Sequence, residues 1–508
     1  MRGLREAVEA RLAELENEEV LARIWAGDHT VWRPDPAGIS DRLGWLTLHE
    51  RMRGEVGELR DFARGCAADG MRFAIVAGMG GSSLAPEVFR RVLGVAQGSL
   101  DLRVLDTTHP DQIRALEQEV DLERTLVVVS SKSGTTAETR SHLEHLWQRI
   151  GDGSRFVAIT DPGTPLTRLA EERGFRRVFE NPPDVGGRYS ALSLFGLVPA
   201  ALVGADLDAL LGAAAAMAER CGSRVPAAEN PAARLGALMA EAALGGRDKL
   251  TLVLEHELVP FTGWIEQLIA ESTGKDGKGV VPVEGGVLGP PGVYGPDRLF
   301  VALGGGGGPL LAWLERAGNP VERFDGHVEL GEEMFRWELA TAVAGAILGV
   351  NPFDQPDVES AKEAARRILQ SGGTPEPDPG DLRGVLAEAE PPRYFAVQAY
   401  LPRTEEIVAR LRTVQLRVRD HRRTATTLGF GPRYLHSTGQ LHKGGPPTGL
   451  FVQVVEPPDS DVEIPGAGYT FGELLAAQAA GDLEALRARG RPVARVTLSE
   501  LEEAVGRL

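Results

Sequence analysis

Cysteine is nearly missing from this sequence. Cys66 and Cys221 are the only two in 508 residues, which rules out a disulfide framework, and their spacing is not that of a zinc site. Both read as small core residues of a reducing compartment. Long apolar runs are missing too: the longest, residues 192–203, is well short of the ~20 residues that cross a bilayer. The amino-terminal stretch to about Asp28 carries acids throughout and apolar residues at helical spacing (Leu4, Val8, Leu12, Leu15), unlike a secretory leader. A cytoplasmic protein is expected. Positive charge is in short supply as well. The net charge of −17 argues against a nucleic acid or an anionic membrane as the main partner, so any anion has to be caught locally. Lysine is scarce among the bases, with six (Lys132, Lys249, Lys275, Lys278, Lys362, Lys443) against 49 arginines. A chain that uses arginine almost everywhere places lysine where a compact or titratable amine is wanted. There are no heptads, low-complexity tracts or short-period repeats.

The 43% of apolar residues fill the cores of two to four domains without difficulty. Residues 1–68 read as a helical segment with a linker near 33–38. Strands are then predicted at 72–77, 102–107, 125–129, 155–159 and 176–179, alternating with helices, as a doubly wound parallel sheet requires. A break near 222–231 opens a second unit, with strands at 249–254, 298–303 and 321–324 and a long helix over 330–348. A Pro-, Gly- and acid-rich linker covers 371–391, and an α/β tail follows with strands at 394–398 and 449–454. The implied domains are 1–68, 69–220, 221–370 and 371–508, the last completing the second domain and its site.

The stretch Ser130-Ser131-Lys132-Ser133-Gly134-Thr135-Thr136-Ala137-Glu138-Thr139 follows a buried strand and opens a helix. Such a turn gathers unpaired N–H groups and the positive end of the helix dipole. An ordinary cap needs one or two hydroxyls rather than five, so the cluster predicts a phosphate pocket. The spacing is not that of a nucleotide-binding P-loop, and a phosphorylated small molecule fits better. A second glycine- and serine-rich turn, Gly78-Met79-Gly80-Gly81-Ser82-Ser83, ends the preceding strand of the same sheet. Ligands in open parallel sheets sit beyond such ends.

Other candidates stand further along. In Gly186-Gly187-Arg188-Tyr189-Ser190, Arg188 is either aimed at an anion or a surface arginine on a glycine turn. Glu271 lies in the last turn of a helix that stops at Gly274, where a carboxylate is electrostatically disfavoured. Lys275 and Lys278 can offset that, leaving a general base held among cations or a solvated turn. The glycine run 304–308 has no hydroxyl and reads as structural. Two histidines, His436 and His442, sit with Lys443 in a glycine-rich loop before the 449–454 strand.

Taken together these motifs resemble phosphoglucose isomerases, especially the diverged bacterial type found fused to transaldolase. The likeness runs over most of 70–370, and the tail from 392 resembles the end of the fused subgroup. It rests on the 78–83 and 186–190 motifs, 131–136 with Glu138 and Thr139, Glu271-Ser272-Thr273-Gly274-Lys275, and Phe353-Asp354-Gln355 with Val358, Glu359 and Lys362. It implies two sugar-isomerase domains with the site between them, a homodimer sharing that site, and a functional partnership with a transaldolase, although no transaldolase barrel is present. It implies interconversion of glucose 6-phosphate and fructose 6-phosphate in glycolysis and gluconeogenesis. Gly81 and Ser82 then line the sugar site, and Ser131, Lys132, Ser133 and Thr136 hold the 6-phosphate. Glu271 is the base between C1 and C2, Arg188 stabilises the enediolate, and Gln355 and Lys362 contact the open-chain sugar. That chemistry asks for no metal or redox cofactor.

Three departures from the family pattern stand out. Thr273 replaces the common Asn, Glu271 and Lys362 lie unusually close in sequence, and the ring-opening histidine is missing from its usual place. His442 is expected to supply it from the tail, with His436 second and His327 third. Two alternatives remain: an isomerase that also accepts mannose 6-phosphate, and a non-catalytic sugar-phosphate regulator.

Overall fold

Three parallel sheets organise the chain. The structure, a computed structural model, describes residues 2–284, 286–324, 326–371 and 378–508. The first sheet runs in the order β2-β1-β3-β4-β5, from β1 (Phe73–Gly78), β2 (Asp101–Leu105), β3 (Thr125–Ser130), β4 (Phe156–Thr160) and β5 (Arg177–Glu180). The second, β7-β6-β8-β9, is built from β6 (Lys249–Leu254), β7 (Val281–Glu284), β8 (Arg298–Leu303) and β9 (Val321–Phe324). The tail has a sheet of its own, β11-β10-β12-β13, made of β10 (Tyr394–Tyr400), β11 (Ala425–Phe430), β12 (Gly449–Val455) and β13 (Val493–Val496). Helices cover the sheet faces, so central strands such as β3 and β10 are buried along their whole length. That is why they read as continuous apolar runs rather than alternating ones.

Two segments differ from expectation. In the segment 1–68 read as helical, the part after the 33–38 linker breaks into short turns before the helix Val56–Ala68. Within the expected 371–391 linker, Leu382–Ala387 is helical, and residues 372–377 lie outside the described residues.

One continuous apolar core joins the amino-terminal helices, one face of the first sheet and one face of the second. The helix Leu330–Leu348 runs through its centre, packed on Pro231–Leu244 and Leu207–Arg220. It is buried on nearly every side, apolar in its second half and carrying the buried Glu333, Arg336 and Glu338 in its first. The other face of the first sheet is covered partly by its own helices and partly by Ile464, Phe471 and Leu474 of the tail unit. Among the described residues no helix is long and apolar enough to cross a membrane.

The loops after β1 and β5 touch backbone to backbone. A Cβ on Gly81 would lie 1.9 Å from the carbonyl oxygen of Gly187, so only glycine allows the approach. Gly81→Ala should therefore destabilise the protein by about 1–3 kcal/mol. Urea unfolding checks this, and an unchanged midpoint would show that the loops can part without cost.

Candidate active site

β1 and β3 are neighbours in register, Gly78 beside Ser130. The chain leaves β1 for β2 on one side and returns to β3 on the other. The loops after β1 and β3 diverge at this reversal and open a crevice, the usual ligand position in such sheets. Ser131 Oγ and Thr136 Oγ1 share a hydrogen bond at 3.1 Å, Gly134 N donates to Ser131 Oγ at 3.2 Å, and Ser133 Oγ lies 2.9 Å from Thr135 Oγ1. Gly134 makes the turn with φ +66°. The Thr136 hydroxyl thus faces Ser131 and does not cap the helix Ala137–Ile150. The result is a rim of hydroxyls at a helix N-terminus, suited to a phosphate. Lys132 lines the same cleft, but its ammonium already binds Asp161 Oδ2 at 2.5 Å and the Pro183 carbonyl at 3.0 Å.

The cleft holds about 750 Å³ and draws walls from all three units. It brings together Gly81, Ser82, Ser131, Lys132, Ser133, Thr136, Arg188, Glu271, Gln355, Lys362 and His436. Glu271 ends the helix Thr262–Thr273, which stops at Gly274. Its carboxylate is buried, accepts from Gln267 Nε2 at 3.0 Å, and lies 3.4 Å from Arg188 Nε. Arg188 is itself buried and turns its other donors to the carbonyls of Pro352 and Asp354 and to Gln355 Oε1 at 2.9 Å. One guanidinium therefore faces the carboxylate and holds the Gln355 loop. Lys275 grips the same loop, binding the Asn351 carbonyl and, at 3.0 Å, Asp354 Oδ1. Burial brings its ammonium down to about 7, and the nearby Arg188 adds to the shift. Thr273, the departure from the family pattern, closes the helix end by donating to the Ile269 carbonyl and accepting from Val280 N. Lys362 stands at the rim, partly exposed and paired with Glu359 at 2.8 Å.

The histidines separate clearly. His442 does not line the cleft. It lies on the short helix Gly439–Gly444, where the sequence suggested a loop, and its ring is packed among Tyr394, Tyr434 and Phe451. Gln398 Nε2 donates to its Nδ1 at 3.2 Å, and burial, with Lys443 next, holds its pKa well below the usual histidine value. The turn of that helix directs His442 inward, which corrects the expectation that it faces the sugar. His327 is 83% exposed and bonded to Glu329, away from the cleft; Asp325 beside it lies outside the described residues. His436 is on the cleft wall, and its Nε2 donates to Glu138 Oε1 at 2.9 Å.

Glu138, Gln267 and Gln478 also line the cleft, and no role for them follows from the sequence analysis. Gln267 Nε2 reaches both Glu271 and the His436 carbonyl, the latter at 2.8 Å. Burial alone would raise the Glu138 carboxyl, but His436 outweighs it and holds the group at about 2. Glu138 follows the hydroxyl loop as an ordinary first-turn acid, and a partner 298 residues away left no mark in the sequence.

A family model, Phosphoglucose isomerase, matches residues 46–285. The chain is similar to the glucose-6-phosphate isomerase of Rubrobacter xylanophilus, 31% identical over 416 residues, covering 70% of this chain and 94% of that one. It is 32% identical over 386 residues to the enzyme of the same name from Citrifermentans bemidjiense, covering 64% and 73%. Among solved structures, a hypothetical protein from Thermus thermophilus superposes with a TM-score of 0.63 at 28% identity, over 73% of this chain and 98% of that one. A glucose-6-phosphate isomerase from Chlamydia trachomatis shares the fold, with a TM-score of 0.53 at 21% identity over 73% and 80%.

The Glu138–His436 pair carries a pH signature. Because the folded carboxyl is held near 2 against an ordinary 4.5, its contribution to stability is complete above pH 4.5 and is lost as pH falls towards 2. The stability gap between wild type and Glu138→Gln should shrink over that window in denaturant titrations. A gap independent of pH would mean that the carboxylate gains nothing from its charge.

Proposed function

The chain belongs to the phosphoglucose isomerase family, and from that membership we propose that the cleft interconverts glucose 6-phosphate and fructose 6-phosphate by proton transfer through an enediolate. The observation that carries this reading is the buried Glu271 carboxylate, 3.4 Å from Arg188 Nε, across the cleft from the hydroxyl loop. Carbon-acid chemistry needs one placed base and a cation where the oxyanion develops. In this reading Ser131, Ser133 and Thr136, with the helix N-terminus behind them, hold the 6-phosphate. Lys132, tied to Asp161, stands beside that loop and would join the phosphate by leaving its pair. Gly81 and Ser82 lie along the sugar, and Gln355 and Lys362 meet it from the rim.

Ring opening is assigned to His436. It gives a proton to the ring oxygen as the C1–O5 bond breaks, while the C1 hydroxyl proton leaves to solvent and C1=O1 forms. Solvent returns a proton to the imidazole. Glu271 then removes the C2 proton and delivers it to C1 while the O2 hydroxyl proton passes to O1, with Arg188 facing the enediolate oxygens. The regulator alternative is not favoured: a sensor needs the phosphate loop, but not a carboxylate and a guanidinium opposed across it. A homodimer, a working partnership with a transaldolase and a cytoplasmic setting complete the proposal.

Proton NMR of fructose 6-phosphate in deuterated buffer tests it. The expected result is glucose 6-phosphate labelled at C2, lost by several orders of magnitude in Glu271→Gln with sugar-phosphate binding retained. Near-normal turnover in that variant would remove the base assignment. Ser131→Ala should chiefly raise KM, and an unchanged KM would take the phosphate away from this loop. His436→Ala should slow turnover of the ring-closed sugar far more than His442→Ala, and the reverse order would return the role to His442.

A further inference from the structure

Glu138 is held from two sides. Besides His436, its Oε1 accepts from Gln478 Nε2 at 2.7 Å. Gln478 Oε1 in turn accepts from Thr108 Oγ1 at 2.8 Å. Gln478 lies on the helix Phe471–Ala488 of the tail unit, and Thr108 follows β2 in the first; both are buried. A glutamine amide can present either its nitrogen or its oxygen. The opposite flip here would set an amide oxygen against a buried carboxylate. The carboxylate therefore selects the flip with the nitrogen facing Glu138, and Thr108 completes it by donating to the amide oxygen on the other side. The carboxylate therefore meets two fixed donors and cannot swing about its last torsion. The other titratable group near it, His142 on its own helix, is brought down to about 4 by burial and is neutral at neutral pH. The tail unit thus grips one carboxylate with two of its side chains, both of them on the cleft wall.

We propose that Gln478, backed by Thr108, is a positioning residue for ring opening: it anchors the Glu138 carboxylate so that His436 is aimed at the ring oxygen. The proposal rests on the assignment of ring opening to His436 made above. It places no group on the substrate; Gln478 acts through Glu138. Without the second donor, the carboxylate rotates and takes up a proton at higher pH, and the imidazole loses its fixed bearing.

Ring opening can be read apart from isomerisation, because opening and closing exchange the α and β anomers of glucose 6-phosphate without touching a C–H bond. Anomer exchange by NMR is therefore measured in a Glu271→Gln background, where C–H chemistry is silenced. Gln478→Leu should slow it about ten- to a hundredfold, the size expected for a lost hydrogen bond to a charged group, with sugar-phosphate binding within about twofold. Gln478→Glu should be slow at neutral pH and recover as pH falls, since a protonated carboxyl again donates. Anomer exchange at the parent rate in Gln478→Leu, with His436→Ala inactive in exchange, overturns the positioning role and leaves the histidine assignment standing. Exchange at the parent rate in His436→Ala overturns the histidine assignment itself. Should Gln478→Leu fail to fold, a Gln478→Glu protein without recovery at low pH overturns the proposal.

Discussion

The structure depends on a buried ion pair that no single unit could hold alone. Glu271 and Arg188 are each almost wholly removed from water, and an isolated charge in that position costs several kcal/mol. The carboxylate stands at the end of the helix that follows β6, and the guanidinium on the turn that follows β5. Each charge is best satisfied by the other, which favours one docking of the first two sheets, and Arg188 also keeps the Pro352 and Asp354 carbonyls and Gln355 as acceptors. The apolar core shared between them supplies the driving force, and the Gly81–Gly187 contact sets how closely the two loops approach.

The third sheet closes the arrangement with polar contacts aimed at the same place. Gln267 links Glu271 to the His436 carbonyl, so base and histidine share one amide. A Cβ on Gly80 would sit 2.8 Å from both that amide nitrogen and that carbonyl, which explains a glycine with φ +57° there. Behind this layer, Tyr434 donates to Asp482 at 2.6 Å and Lys443 binds Asp482 at 2.5 Å, all nearly dry. Pairs of this kind contribute little net stability, but breaking one leaves a buried charge, so the tail unit has few alternative seats.

Much of this was legible in the chain, and the gaps have physical causes. Strands buried on both faces are apolar runs of five or six residues, so β3, β6 and β8 stand out. β7 is four residues with Pro282 inside it, and β13 is four residues after Pro492; short strands with proline beside or within them carry little signal. β11 contains Gly429 and is only partly buried. The phosphate loop and Glu271 were readable because their chemistry is local to a motif. The choice of histidine was not, because it turns on how two short helical turns, Arg433–His436 and Gly439–Gly444, are set against the cleft. Six residues separate His436 from His442, and one faces the cleft while the other faces Tyr394 and Phe451. The roles of Glu138 and Gln478 lie in contacts across hundreds of residues, which no window along the chain can show.

Three units that build one cleft are also three units joined by peptide bonds. Glu138, Glu271 and His436 come from different sheets, yet the covalent chain keeps them within a fixed distance of one another at any dilution. Bringing His436 to Glu138 is thus a unimolecular closure whose effective concentration is set by the 371–391 connection and not by the number of molecules in solution. A change in that connection would alter how often the cleft is complete without touching any residue inside it.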